Sequence, residues 1–317
     1  MGSRAVVVLF GDSLTQRGYY TDGWAAAVSN YYGRRADVLN RGYGGYNTRY
    51  GRHIVHALFP DNLKSISISK EGKYLLATVW FGANDASTPD FRAHVPLPEF
   101  ESNMEDIISH LQNYFHFVVA LSLPPVHAPT RLAFQRVKFD DKATGDTKQS
   151  TERAGEYSKV VQKVAQKFNA IFVDVHNLML AQGDNLWPAF VGAGTPDGDG
   201  LHLSKKGEQF VSKHVIDAIE KNTLKIQDLP AEFPWGSQLS GDTYVTDFAQ
   251  HQVTNEQSKI GLGSNYIKPV VRSDLQLQSP TVQFLSIVLL SVVALFFILQ
   301  CITRRKSLDR STRSAQR

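Results

Sequence analysis

Five apolar residues in a row, Val6, Val7, Val8, Leu9 and Phe10, run straight into Gly11, Asp12 and Ser13. A strand with one wet face alternates apolar and polar side chains; this one does not, so it reads as a central strand of a parallel sheet covered on both faces. Sheets of that kind present their chemistry at the carboxyl ends of their strands. Gly11 lets the backbone leave the strand sharply, and Ser13 then projects over the sheet edge where the next helix aims its amides. The plainer alternative is a turn in which Asp12 and Ser13 only cap a helix. This segment alone leaves both open.

The same grammar recurs downstream. Further strands are expected around Val38 and Leu39, over 74–81, over 117–121 and over 170–175. Helical spacing appears between them: in Trp24, Ala27, Val28 and Tyr31; near 53–59; in Met104, Ile107, Ile108, Leu111 and Phe115 behind a capping-box pattern at Ser102 and Glu105; and in Tyr157, Val160, Val161, Val164 and Phe168. A last helix carries Phe210, Val211, Val215 and Ile219 behind the cap Ser204. Five strands alternating with helices predict an α/β fold, a flavodoxin-like three-layer doubly wound parallel sheet in strand order 2-1-3-4-5. In that order the first and third strands meet at the switch point, which brings Ser13 beside Asn84. The polar stretch 127–151 shows little periodicity and reads as a long surface excursion near the strand ends.

Charge bears on partners. The chain of 317 residues carries +4, but six basic residues against Asp309 leave 304–317 at +5, so everything before it carries −1. A near-neutral body lacks the basic face of a nucleic-acid binder, and no nucleic-acid partner is expected. Cys301 is the single cysteine, which excludes an intrachain disulfide and a thiolate metal cluster. None of the histidines shows metal-ligand spacing. No P-loop and no Gly-x-Gly-x-x-Gly run is present, so neither metal nor cofactor is expected. The absence of a Gly-x-Ser-x-Gly elbow argues against the α/β-hydrolase fold.

Four polar turns are expected on one rim: 11–15, 42–48, 82–85 and 199–202. Ester hydrolysis needs this set of parts. A serine hydroxyl requires a base within hydrogen-bond reach, which His202 can supply, and Asp199 can accept from the other ring nitrogen. Asp197, two residues earlier, is the alternative acid, since loop conformation decides which carboxylate reaches the imidazole. Donors for the oxyanion can come from the backbone N–H of Ser13, that of Gly45 and the side-chain amide of Asn84. Trp80, Phe81 and Trp187 either line an acyl pocket or belong to the core.

Taken together, Gly-Asp-Ser-Leu-Thr at 11–15, Arg-Gly-Tyr-Gly-Gly-Tyr-Asn-Thr at 41–48, Gly-Ala-Asn-Asp-Ala at 82–86 and Asp-Gly-Leu-His-Leu-Ser at 199–204 resemble the blocks of the GDSL or SGNH hydrolase family. Within it, the run 94–100 is similar to the isoamyl acetate-hydrolysing esterases. The resemblance covers about 1–240 and implies the SGNH hydrolase fold. It also implies Ser13 as nucleophile, Gly45 and Asn84 as oxyanion donors with Ser13, and Asp199 with His202 completing the triad. Gly45 is preferred to Gly44 because it directly precedes Tyr46, Asn47 and Thr48. The expected activity is a serine ester hydrolase acting through an acyl-enzyme on short-chain or membrane-partitioned carboxylic esters. The alternatives are a lysophospholipase or thioesterase and, from another class, an inactive membrane-anchored scaffold.

The C-terminal part reads differently. Residues 241–281 form a polar stem, expected to span about 35 Å on average if flexible. Residues 282–302 carry no charge and, as a helix, would be about 31 Å long, the thickness of a bilayer core. The basic tail 303–317 follows. The organisation expected is therefore an esterase domain at 1–240, a stem, one transmembrane helix and a tail. The basic flank alone would hold the tail in the cytosol. Because no signal peptide is visible ahead of the first strand, the expected arrangement is instead a C-terminal anchor with the esterase facing the cytosol.

Overall fold

The computed structural model describes residues 4–20, 22–60, 74–139, 147–223 and 225–252. Five strands, β1 (Ala5–Gly11), β2 (Ala36–Gly42), β3 (Tyr74–Trp80), β4 (Phe117–Leu121) and β5 (Ile171–Val173), form one sheet in the order β2-β1-β3-β4-β5, each pair parallel. This is the order expected from the alternation of strands and helices. The helices are α1 (Ser13–Gln16), α2 (Trp24–Tyr31), α3 (Thr48–Leu58), α4 (Leu97–Leu111), α5 (Ala128–Phe139), α6 (Thr151–Lys167), α7 (Val175–Leu180) and α8 (Lys205–Asn222).

The unbroken apolar run of β1 has its reason in two cores. Val7 and Leu9 face one cluster with Trp24 and Val28 of α2 and with Val211, Val215 and Ile219 of α8. Val8 and Phe10 face the other, with Val55 of α3, Phe100, Met104 and Ile107 of α4, and Val161 and Val164 of α6. Successive side chains of a strand point to opposite faces, so a strand with helices on both sides must be apolar at every position. Trp80 and Phe81 are fully buried and Trp187 nearly so, which assigns all three to the core rather than to a substrate pocket.

Helices α3 (Thr48–Leu58, expected near 53–59) and α7 (Val175–Leu180, not expected) depart from the sequence expectation, and so do two others. The helix expected from Ser102 begins at Leu97, with Pro96 as its N-cap and Pro98 in its first turn. Proline costs no hydrogen bond there, because the first amides of a helix have no partner within it, and Glu99 complements the positive end. The excursion at 127–151 contains α5. Its residues Arg131, Leu132, Ala133, Gln135 and Arg136 are good helix formers, yet they make no apolar stripe, so propensity was present where periodicity was not.

The described residues all belong to one compact unit. Of the expected polar stem, residues 244–252 are helical. Among the described residues no helix is long and apolar enough to cross a membrane, and the segments 253–281, 282–302 and 303–317 lie outside them.

Strand β1 ends where two chain segments close on it. A Cβ at Gly11 would overlap the Trp80 carbonyl and the Thr15 hydroxyl. The variant Gly11→Ala is therefore expected to lose about 1–3 kcal/mol of stability through overpacking, read as a lower urea midpoint of the folded domain. An unchanged midpoint would contradict the close approach.

Candidate active site

Asp12 fixes the turn that follows β1. Its backbone N–H donates to the Trp80 carbonyl at 3.1 Å, which ties the turn to β3. Its carboxylate Oδ1 accepts the Leu14 N–H at 2.9 Å and so caps α1. Ser13 thus enters the first turn of a short helix, half-buried, at the carboxyl end of the central strand.

His202 comes from the loop that precedes α8. Asp199, three residues earlier, shapes that loop by accepting two backbone amides on Oδ1, Leu201 N–H at 3.0 Å and His202 N–H at 2.8 Å. Its other oxygen, Oδ2, lies 2.5 Å from His202 Nδ1. His202 Nε2 in turn lies 2.8 Å from Ser13 Oγ, across 189 residues of sequence. With Nδ1–H donated to the carboxylate, Nε2 carries the lone pair and the serine hydroxyl donates to it. Asp197 is exposed, and the carboxylate that reaches the imidazole is that of Asp199.

The electrostatics of the pair are opposed by burial on both sides. Burial pushes the Asp199 carboxyl up, but the His202 hydrogen bond and charge and the two loop amides outweigh it and hold Asp199 below the usual carboxylate range. Burial lowers His202, Asp199 pulls it back up, and the cations Arg17 and Arg131 lower it further; the net shift is downward. The imidazole therefore stays neutral, and able to accept a proton, to a more acidic pH than free histidine.

Gly44 lies near the serine: a Cβ on it would stand 3.8 Å from the Ser13 Cβ. The Gly44 N–H is already donated to Gln16 Oε1 at 2.6 Å. Gly45 is exposed and has φ +78°, a left-handed conformation that glycine enters at no steric cost. Asn84 donates one Nδ2 hydrogen to the Tyr46 carbonyl at 2.9 Å, which locks the side chain and leaves its second N–H available.

A buried acid holds the Gly45 and Asn84 turns in register. Asp85 Oδ1 accepts both the N–H of Thr48 at 2.8 Å and its hydroxyl at 2.5 Å, joining the end of β3 to the start of α3. Asn103 of α4 donates to the same hydroxyl at 3.2 Å. Burial pushes the Asp85 carboxyl up to about 7 and that of Asp12 up to about 8. Sequence reasoning quoted Asp85 within its motif without assigning it this work, because its partner is 37 residues away. Arg131 was also missed. It reaches Asp199 from α5, the helix that periodicity did not reveal, with Nη1 3.4 Å from Oδ2.

The chain matches the GDSL-like lipase/acylhydrolase family over residues 9–210. A GDSL esterase/lipase of Arabidopsis thaliana is 31% identical over 244 residues, which is 75% of this chain and 95% of that protein. The isoamyl acetate-hydrolyzing esterase 1 homolog of Bos taurus is 32% identical over 238 residues, 74% of this chain and 88% of that protein. Among solved structures, a lipase/acylhydrolase from Enterococcus faecalis aligns with a TM-score of 0.50 at 21% identity, covering 68% of this chain and 96% of that one, a likeness of fold.

The charge balance around the imidazole makes a prediction for NMR titration. His202 is expected to titrate below the free value of about 6.5. Arg131→Gln removes a cation that disfavours imidazolium, so the His202 midpoint should rise. A midpoint above 6.5 in the native chain, or one that falls in the variant, would contradict the balance described.

Proposed function

The chain belongs to the GDSL-like lipase/acylhydrolase family and is a serine ester hydrolase, and from that premise we propose that Ser13 is its nucleophile, His202 its general base and Asp199 the acid that orients the imidazole. One observation carries the assignment: the unbroken path from Asp199 Oδ2 through both ring nitrogens of His202 to Ser13 Oγ. His202 Nε2 takes the hydroxyl proton as Ser13 Oγ attacks the ester carbonyl, and Asp199 stabilises the imidazolium that forms. The carbonyl oxygen becomes an oxyanion, for which the N–H groups of Ser13 and Gly45 and the free N–H of Asn84 are the proposed donors. Collapse of the tetrahedral intermediate breaks the bond to the alcohol, which leaves with the proton from His202. Water then attacks the acyl-enzyme, gives its proton to Nε2, and the acid departs as Ser13 recovers its hydrogen.

The proposed substrates are short-chain esters. What supports a short acyl chain over the long chain of a lysophospholipid is the likeness to an isoamyl acetate-hydrolyzing esterase homolog.

The anchor is a second part of the proposal. The uncharged run 282–302 supports a single C-terminal membrane span; the esterase is proposed to face the cytosol, although the basic flank by itself would place the tail there.

Two measurements test these assignments. On a nitrophenyl acetate or butyrate assay, Ser13→Ala and His202→Ala should each lower kcat by at least about 10³-fold, and Asn84→Ala by about 10²–10³-fold. The acid limb of kcat/KM should lie below about pH 6.5, because only neutral imidazole accepts the proton. Retained turnover in Ser13→Ala would overturn the nucleophile. For the anchor, the full chain should stay in the membrane pellet under alkaline carbonate while a chain ending at 281 is released. External protease should digest the esterase domain on intact organelles, and protection would overturn the orientation.

A further inference from the structure

Two guanidinium groups flank the site beyond what ester hydrolysis requires. Ser13 and Arg17 are four residues apart on helical backbone: Arg17 is the C-cap of α1, and its N–H donates to the Ser13 carbonyl. Residues at that spacing share a helix face with their Cβ atoms about 5–6 Å apart. Arg17 therefore stands beside the serine. Arg131 arrives from a different element, α5. The start of α5 is fastened to the loop of Asp199 by the His127 N–H, which donates to the Gly200 carbonyl at 2.9 Å. From there Arg131 places Nη1 3.4 Å from both Asp199 Oδ2 and the Asp199 carbonyl, with Phe134 against its guanidinium.

These cations are poorly compensated. Asp199 is the carboxylate within reach of Arg131, and its oxygens already accept from His202 Nδ1 and two backbone amides. The buried Nε of Arg131 has no hydrogen-bond partner among the described residues. The Arg17 guanidinium forms neither a hydrogen bond nor an ion pair among the described residues. Glu208 lies within electrostatic range of Arg17, but its carboxylate accepts the Trp24 N–H at 2.8 Å and burial pushes it up to about 7, which makes it a weak counter-ion. Arg17 and Arg131 also repel each other, and both disfavour the imidazolium that must form on His202. For a neutral ester, the pair is a liability in the transition state.

An anion on the substrate reverses that sign. We propose that Arg17 and Arg131 are specificity-determining residues, and that the preferred ester carries a carboxylate or phosphate close to the scissile carbonyl, held between the two guanidinium groups. The anion would pair with the Arg17 guanidinium, offset the mutual repulsion of Arg17 and Arg131 and stabilise the imidazolium during attack. This rests on the catalytic assignment of Ser13 and His202 proposed above, and it adds the charge of the substrate to it.

Matched esters test the idea on the full chain. Nitrophenyl butyrate is compared with nitrophenyl hemisuccinate, which places the anion on the acyl side. Monobutyryl glycerol is compared with butyryl glycerol phosphate, which places it on the alcohol side. In at least one pair the anionic ester should have the higher kcat/KM, by about tenfold to a hundredfold, as expected for a charge-assisted hydrogen bond. Arg17→Gln and Arg131→Gln should each collapse that ratio towards one, while Arg17→Lys, which keeps the charge, should retain most of it. Raising the salt should erode the native ratio as well, a readout that needs no variant. An anionic ester no better than its neutral twin in both pairs, or a ratio that survives both glutamine variants, would overturn the proposal. Turnover of the neutral esters in that event would leave the catalytic assignment standing. Native chain inert on all four esters would instead remove both.

Discussion

The structure depends on β1 being buried on both faces and then stopping abruptly. Its four core side chains, Val7, Val8, Leu9 and Phe10, hold two separate helical layers against one sheet, so the strand has no tolerance for a slip in register. At its end the chain must turn in the space left by Trp80 and Thr15, where Gly11 alone avoids overlap. Ser13 therefore follows directly on a closely packed strand end. A nucleophile benefits from that, because a displacement of about 1 Å at a reacting atom can cost about 10²-fold in rate.

The remaining proposed catalytic parts come from loops, which buried acids organise. Asp12 caps α1 through the Leu14 N–H, Asp85 joins the end of β3 to the start of α3, and Asp199 organises its own loop through two amides before it touches the imidazole. Each of these carboxylates spends at least one oxygen on the backbone. Asp12 and Asp85 are displaced upward by burial while Asp199 is held low, and the difference is the imidazole partner that only Asp199 possesses. The three acids are alike in sequence context, each beside a glycine turn or an oxyanion candidate, and are told apart only by what surrounds them.

Much of this was legible in the sequence, for physical reasons. The parallel sheet announced itself through apolar runs without alternation, and its order followed from the strand and helix succession. Ser13, Gly45, Asn84, Asp199 and His202 were read from turns at strand or helix ends, and the structure brings Ser13, His202 and Asp199 into one hydrogen-bonded path. The choice of Asp199 over Asp197 came from the family resemblance rather than from spacing, since spacing from His202 does not determine where a loop points. Helix α5 escaped because it has no apolar stripe: what it contributes is Arg131 over the Asp199 loop rather than a core face. The early start of α4 escaped because two prolines mark a helix entrance as readily as a loop. Arg17 was visible four residues beyond the serine, but its meaning required the second cation, and that cation is 114 positions further along the chain.

The central claim is that Ser13 is made nucleophilic by the path through His202 to Asp199. Mass spectrometry of the chain treated with a fluorophosphonate tests it most directly. The account predicts one stoichiometric adduct, mapped to Ser13, whose formation slows sharply in His202→Ala while the fold is retained. An adduct on another residue, or a folded chain that takes up none, would contradict it.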